Sequence, residues 1–432
     1  MDIAIIGAGV SGLTAAWFLS EHNVTIYEKA NRLGGHAYTV NVNVNNQNVP
    51  VDAGAQFFYD EIHPLFKRLL EILNVETFPY DTDVTFRNNL INKTNLIYMN
   101  PWKHPLATLM NIFNLIRLQD FLTVGADAYV ANRWELTTVD LINILEAPQS
   151  FKDNFAFPFI ASSWTEGKYI RNTTAIAPLF FMAYGHPKQT IRNTGTGMWG
   201  VTGGTQSYVK ALAQKIGMEK IKYPVDIQSI AKQGDKWVIE TDNGSAMFDH
   251  VIMGTQLLQA TSLIDMINAP TRNFETLKNL LKSMDRDNDT TVEVHGDPRL
   301  MPTTNRSEWN LINLYWNGEE DTYNTIWSGE IHNKVDVFKT WTTYSKVKPQ
   351  PNKVFQSVPF NHFYHTPNNF AAQTRLATHQ GVDNFWFVGA WTIGIDSHEN
   401  AIKAAMGVAQ RLGASQNLFE LANRSRKVAS AS

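Results

Sequence analysis

The stretch from Asp2 to Thr39 constrains this chain of 432 residues more than any other. Asp2-Ile3-Ala4-Ile5-Ile6 is a short apolar run without helical periodicity, and Gly7-Ala8-Gly9-Val10-Ser11-Gly12 follows it directly. Leu13 to Leu19 has helical spacing, Val24-Thr25-Ile26-Tyr27 reads as a second strand, and Glu28 and Lys29 close it. The glycine spacing has a physical reading. Gly7 permits a tight turn off the strand, Gly9 lets backbone approach a pyrophosphate closely, and Gly12 lets the helix pack on the sheet. Ser11 sits in the first helical turn, where free N–H groups and the positive dipole end face the anion. Glu28 stands about twenty residues beyond Gly7, where an acid accepts both hydroxyls of an adenosine ribose and disfavours a 2′-phosphate.

The formal net charge of −3 leaves no basic footprint for nucleic acid, and none is expected as a partner. The chain has no cysteine, which excludes disulfides, thiolate nucleophiles, iron–sulfur clusters, cysteine zinc sites and any cysteine-linked cofactor. No metal is expected. The first strand begins at residue 2 and no run of eighteen apolar residues occurs, so a cytoplasmic protein without a transmembrane segment is expected.

Arg32-Leu33-Gly34-Gly35-His36-Ala37-Tyr38-Thr39 follows the acid. Here the chain resembles the flavoprotein amine oxidase and phytoene desaturase superfamily, which carries an R-x-G-G-R-x-x-T-like motif at this point and binds FAD. His36 stands where the superfamily usually has its second arginine. The resemblance implies non-covalent FAD, with Arg32, Gly34, Gly35 and His36 near the pyrophosphate and Lys29 among the cofactor-binding residues. Thr39 to Asp52 reads as a hairpin across Asn45-Asn46-Gln47-Asn48. It delivers Gly54-Ala55-Gln56, similar to the superfamily's next cofactor-contacting stretch, although Gly54 also suits a plain turn.

Beyond residue 60 the character changes. Ile62 to Leu73 has amphipathic spacing, and a second helix is expected from about Pro105 to Leu122. That helix mixes apolar residues with few charges. It is either a peripheral membrane or lipid-access helix, or simply a helix packed on the core. A further short helix is expected around Asp140 to Leu145. Gly197-Met198-Trp199-Gly200-Val201-Thr202-Gly203-Gly204 resembles the run that returns the superfamily's chain to its flavin domain, particularly in a bacterial amine-oxidase-like branch. A helix from Tyr208 to Lys215 then follows. Strands are expected at Tyr223 to Ile227, where the superfamily's equivalent of Val225 meets the adenine, and at Trp237 to Thr241 and Val251 to Gly254.

Thr290 to His295 and Asn310 to Asn317 alternate as strands, with Tyr315 and Trp316 on opposite faces and one of them expected in the cavity. Asn384 to Trp391 reads as a buried strand running into Gly389, and Ser397-His398-Glu399-Asn400-Ala401 opens a helix. This resembles the superfamily's last motif, and the resemblance makes Gly389, Trp391, Glu399 and Ala401 cofactor candidates.

The expected architecture is α/β. A discontinuous Rossmann-like FAD-binding domain is built from about 1–60, 195–255 and 370–420, and 61–194 with 256–369 form an α+β substrate domain of mixed sheet and covering helices. A tail occupies 421–432. Amine oxidases of the superfamily generally hold a water near the flavin with a lysine, and the strand expected to carry it, Thr290 to His295, has none. His398, His295 and Tyr315 are the catalytic candidates, the histidines as bases for a C–H proton. The expected activity is oxidation or desaturation of a small hydrophobic substrate such as an unsaturated or methylated fatty acyl chain. A double-bond isomerase, an amine oxidase and a non-catalytic flavin protein are the alternatives.

Overall fold

The computed structural model describes residues 1–60, 62–80, 84–89, 96–98, 104–164, 167–184, 197–286 and 288–414. The tail expected at 421–432 lies outside them. β1 (Asp2–Ile6) is the middle strand of a five-stranded parallel sheet, flanked by β2 (Asn23–Tyr27) and by His250–Met253. Ile221–Lys222 and Phe385–Phe387 form its edges. The lack of alternation in β1 now has its cause. Ile3 and Ile5 pack with α1 (Val10–Phe18) and the helices Gln206–Ile216 and His398–Arg411. Ala4 and Ile6 pack on the other side with Trp237, Ile239 and Phe274. A parallel sheet covered on both faces selects an apolar run.

The excursions between these strands build a seven-stranded mixed sheet. Its order is Val354–His362, Asn288–His295, Phe338–Trp341, Thr322–Trp327, Ile312–Trp316, Val84–Asn88 and Leu96–Tyr98. Ile312–Trp316 pairs in parallel with Val84–Asn88, and the other described pairings are antiparallel. Among the helices of the first excursion are α2 (Pro64–Ile72), α3 (Pro105–Met110) and α4 (Ile112–Val130). Phe86, Leu314 and Trp316 of the sheet share a core with Leu118 and Phe121 of α4 and with Phe155 and Phe159.

The hairpin forms as Thr39–Val44 and Gln47–Asp52, with Asn45 and Asn46 both at positive φ, the geometry of a two-residue turn matched to strand twist. Two expectations are corrected. The helix over 105–122 breaks at Asn111, whose amide side chain donates to the Ala107 carbonyl, a local bond that competes with helix propagation. Tyr223 to Asp226 forms no strand, because Ile221–Lys222 pairs with β2 and the next strand begins at Ile227.

Candidate active site

A cavity of about 2050 Å³ lies where the carboxyl ends of the parallel strands meet the mixed sheet. Gly7, Glu28, Gly254 and Gly389, one from the end of each of four strands, line it. This is the crevice in which open α/β sheets bind their ligands.

The glycine loop fits a pyrophosphate. A Cβ on Gly12 would stand 2.0 Å from the Gly7 carbonyl oxygen, and one on Gly7, at φ +102°, 2.9 Å from that of Gly254. These two glycines are required by the protein's own packing. A Cβ on Gly9 would meet nothing closer than Gly35 Cα at 3.9 Å, so the space there opens on the cavity. Gly9 is also the N-cap of α1, without a side-chain cap and without an acid in the first turn, which leaves N–H donors for an anion. Gly34 donates its N–H to the Ala8 carbonyl at 2.9 Å, holding the second glycine pair against the first. Arg32 lies 3.9 Å over the Tyr38 ring and donates to the Gly35 carbonyl at 2.8 Å.

Glu28 lines the cavity while its two carboxylate oxygens accept from Ala8 N–H and Ala30 N–H, each at 2.8 Å. Those bonds set its orientation and leave each oxygen a second lone pair. Gly9, Ser11, Arg32, Gly34, Gly35 and His36 line the same end of the cavity. Gly54, Ala55, Gln56, Trp391, His398 and Ala401 line it further on.

Several expected residues are placed elsewhere. Lys29 is exposed and pairs with Asp226 at 3.0 Å. Val225 is buried in the core, and its N–H donates to the Glu28 carbonyl at 2.8 Å. Glu399 is buried away from the cavity, where Oε2 accepts from the N–H groups of Leu65 and Phe66 at 2.9 and 3.1 Å. It therefore caps α2 and fixes that helix to the start of His398–Arg411.

Strand parity removes two catalytic candidates from the cavity. Lys339 and Trp341 line it, so Phe338 and Thr340 face away. His295 belongs with the latter pair, stacked on Phe338 and hydrogen-bonded through Nε2 to the Thr340 hydroxyl at 2.8 Å. Ile312 and Leu314 line the cavity, and Tyr315 points to the opposite face, stacked on Tyr323 with centroids 4.5 Å apart. Trp316 shares the parity of Leu314 but is buried against Phe157.

The neighbouring strand does carry a lysine that lines the cavity. Lys339 pairs across from Val294, is fully buried, and donates from Nζ to the carbonyls of Asp52 at 2.7 Å and Gly54 at 3.3 Å. Burial pushes its pKa down to about 7, with the Asp52 carboxylate opposing the shift. Asp52 is itself held by the Thr39 hydroxyl at 2.6 Å and by Thr205 N–H and hydroxyl, both at 2.8 Å. A signal for Lys339 existed in Val337-Phe338-Lys339-Thr340-Trp341, where a lysine shares its parity with two apolar residues.

A second group was not expected as a cluster, although His36 was expected by itself. Asp396 Oδ2 stands 3.8 Å from Nδ1 of both His36 and His362, and all three line the cavity. Their donor atoms lie within 4.8 Å of one another, close enough to share an ion, although no metal was expected. Burial raises the Asp396 pKa, but the neighbouring His362, His36 and His365 imidazoles more than offset this and hold it well below the usual carboxylate range. His398 stacks on Phe66 with centroids 4.5 Å apart, and its Nε2 meets the Tyr208 hydroxyl at 2.5 Å.

Burial lowers the pKa of His36 and His398 to about 4 and that of His63 to about 3. These histidines are neutral near pH 7. An unfolded histidine titrates near 6.5, so between about pH 6.5 and 4 the unfolded chain takes up protons that the folded chain refuses. Stability is therefore expected to fall with pH through that window by several kcal/mol in total. Thermal denaturation at pH 7.5 and pH 5.0 reads it as a drop of roughly 5 °C or more. An unchanged midpoint would mean that these rings are hydrated.

Residues 10–275 match the family model of flavin-containing amine oxidoreductases, which is more than half of the chain. The chain belongs to this family, and FAD is its cofactor. Flavin-containing amine oxidase A of Sus scrofa is 26% identical over 269 residues, covering 56% of this chain and 47% of that protein. The chain thus spans about half the length of the curated relatives it matches. In fold it is similar to a CLA-producing fatty acid isomerase from P. acnes, with a TM-score of 0.66, 13% identity, and 95% of this chain and 98% of that one covered. A double mutant of putrescine oxidase gives a TM-score of 0.66 at 14% identity, covering 96% and 99%.

Proposed function

We propose that this chain is an FAD-dependent oxidoreductase that removes a hydride from an apolar carbon chain, an unsaturated or methylated fatty acyl group. One observation carries the reading. The part of the cavity beyond the glycine loops is walled by Leu109, Ile112, Leu115, Ile116, Leu118 and Leu122 of α3 and α4, with Phe159 and Phe181 beside them. Such a wall desolvates a hydrocarbon and itself offers an ammonium group no anionic partner, the carboxylates lining the cavity being Glu28 and Asp396 outside it. Bound FAD supplies the two-electron acceptor. The chain's own tasks are to hold the cofactor's phosphates at Gly9 and Ser11, to exclude water with the apolar wall, and to accept or hold a proton at Lys339 Nζ or the His398 ring.

Lys339 favours amine oxidation as the second reading, since a buried lysine at the cavity wall is the feature that Thr290 to His295 lacks. The solved neighbours are named for a fatty acid and for putrescine, so this fold accommodates both substrate classes. Anaerobic addition of linoleate and then of putrescine to the purified holoprotein separates them. Bleaching of the flavin band by the fatty acid alone is the expected result. Bleaching by the amine alone overturns the proposal, and double-bond migration without net bleaching assigns the isomerase.

A further inference from the structure

The outer face of α3 and the first turns of α4 is unusually apolar for a surface. Leu106 is 78% exposed, Leu109 69%, Met110 84%, Phe113 72% and Ile116 54%. Their spacing is that of one helical stripe continued across the break at Asn111. From Pro105 to Ile116 the chain has no charged residue. The opposite side of the same helices, through Thr108, Ile112, Leu115 and Leu118, lines the cavity, and Leu109 and Ile116 belong to both surfaces. The cavity wall and the exposed stripe are therefore continuous.

We propose that this stripe is a docking surface for a lipid bilayer, through which the cavity receives an apolar substrate directly from the membrane. Among the described residues no helix is long and apolar enough to cross a membrane, so the contact is with one leaflet. Charge agrees with an anionic surface. In sequence the stripe is flanked by Lys103 and Arg117, with no acid between them, although the formal net charge of the whole chain is −3. A second copy of the chain fits less well. One six-residue helix and two turns offer less than the roughly 800 Å² a side that a stable interface requires. A second copy would also cover the side chains through which the cavity wall reaches the surface.

The entry route rests on the apolar-substrate reading above, whereas the docking itself does not. The test is flotation of the FAD-loaded full chain with phosphatidylcholine vesicles and with phosphatidylcholine–phosphatidylglycerol vesicles. It is repeated with Leu106→Ser, Met110→Ser and Phe113→Ser combined, none of which lines the cavity. The wild-type chain is expected to float with both, more with the anionic vesicles, and the triple variant to partition roughly tenfold or more weakly. Retained flavin and an unchanged melting point show that the variant is folded. Failure of the wild type to float overturns docking whatever the substrate proves to be. So does a concentration-dependent dimer, by sedimentation velocity, that the same substitutions disperse. Flotation together with bleaching by amines alone would retain docking and sink only the substrate reading.

Discussion

Gly12→Val should yield protein that retains no flavin and is strongly destabilised. The first side-chain carbon would stand 2.0 Å from the Gly7 carbonyl oxygen, which is backbone and cannot rotate away. The loop must open or α1 must leave the sheet. Either movement disturbs Leu13 and Ala16, which are fully buried in the core against the parallel sheet. A strain of this kind belongs to the severe class, about 4 kcal/mol or more. Gly9→Ala is the informative companion, because a Cβ there has free space around it. That variant should melt near the wild-type temperature in its apo form and still lose flavin, since the methyl group enters the volume the pyrophosphate needs. The ratio of visible to ultraviolet absorbance reports flavin, and near-ultraviolet circular dichroism reports packing. Wild-type flavin content in both variants would place the cofactor away from the loop.

Lys339→Met should slow flavin reduction by substrate by about 10²-fold to 10⁴-fold, the range for loss of a positioned proton-transfer group, while leaving the fold intact. Methionine preserves much of the side-chain volume. It leaves the Asp52 and Gly54 carbonyls without their Nζ donor, at a cost of about 1–3 kcal/mol. Removing a buried cation offsets part of that cost. Rapid-mixing reduction of the flavin across pH 5.5 to 9 gives the decisive signature. In the wild type a group with a pKa near 7 should shape the profile, with the neutral amine gaining as pH rises through 7. In the variant that limb should vanish. A variant with an unchanged limb would show that Lys339 only braces the segment from Asp52 to Gly54, and would shift attention to His398 or the His36, His362 and Asp396 group.

The geometry of the glycine-loop end of the cavity was legible because it is local. Gly7, Gly9, Gly12 and Glu28 are spaced along one strand, turn, helix and strand, and the tight turn, close helix packing and oriented carboxylate follow from backbone geometry that a linear sequence records. The first and last strands of the parallel sheet in chain order were legible for the same reason, since Ile3 to Ile6 and Phe385 to Val388 are apolar without alternation, as strands buried on both faces must be. Glu399 shows the boundary of that reasoning. Its position at a helix start was correctly expected, but the N–H groups it accepts belong to α2, more than three hundred residues away in sequence.

The substrate end is a product of tertiary structure. Which of His295, Tyr315 and Lys339 reaches the cavity depends on the order and facing of seven strands drawn from distant parts of the chain, and a one-residue change of parity reverses the answer. The Asp396 carboxylate meets His36 and His362 only because the hairpin region, the edge strand and the last helix converge there. The apolar stripe from Leu106 to Ile116 was visible as composition. Whether it was buried or exposed could be settled only by what packs against it, because hydrophobic periodicity marks a face and does not name its neighbour. The sequence by itself thus determined the cofactor-binding motif and the class of fold, through short-range backbone constraints. Only the long-range packing of the folded chain decided which side chains face the substrate.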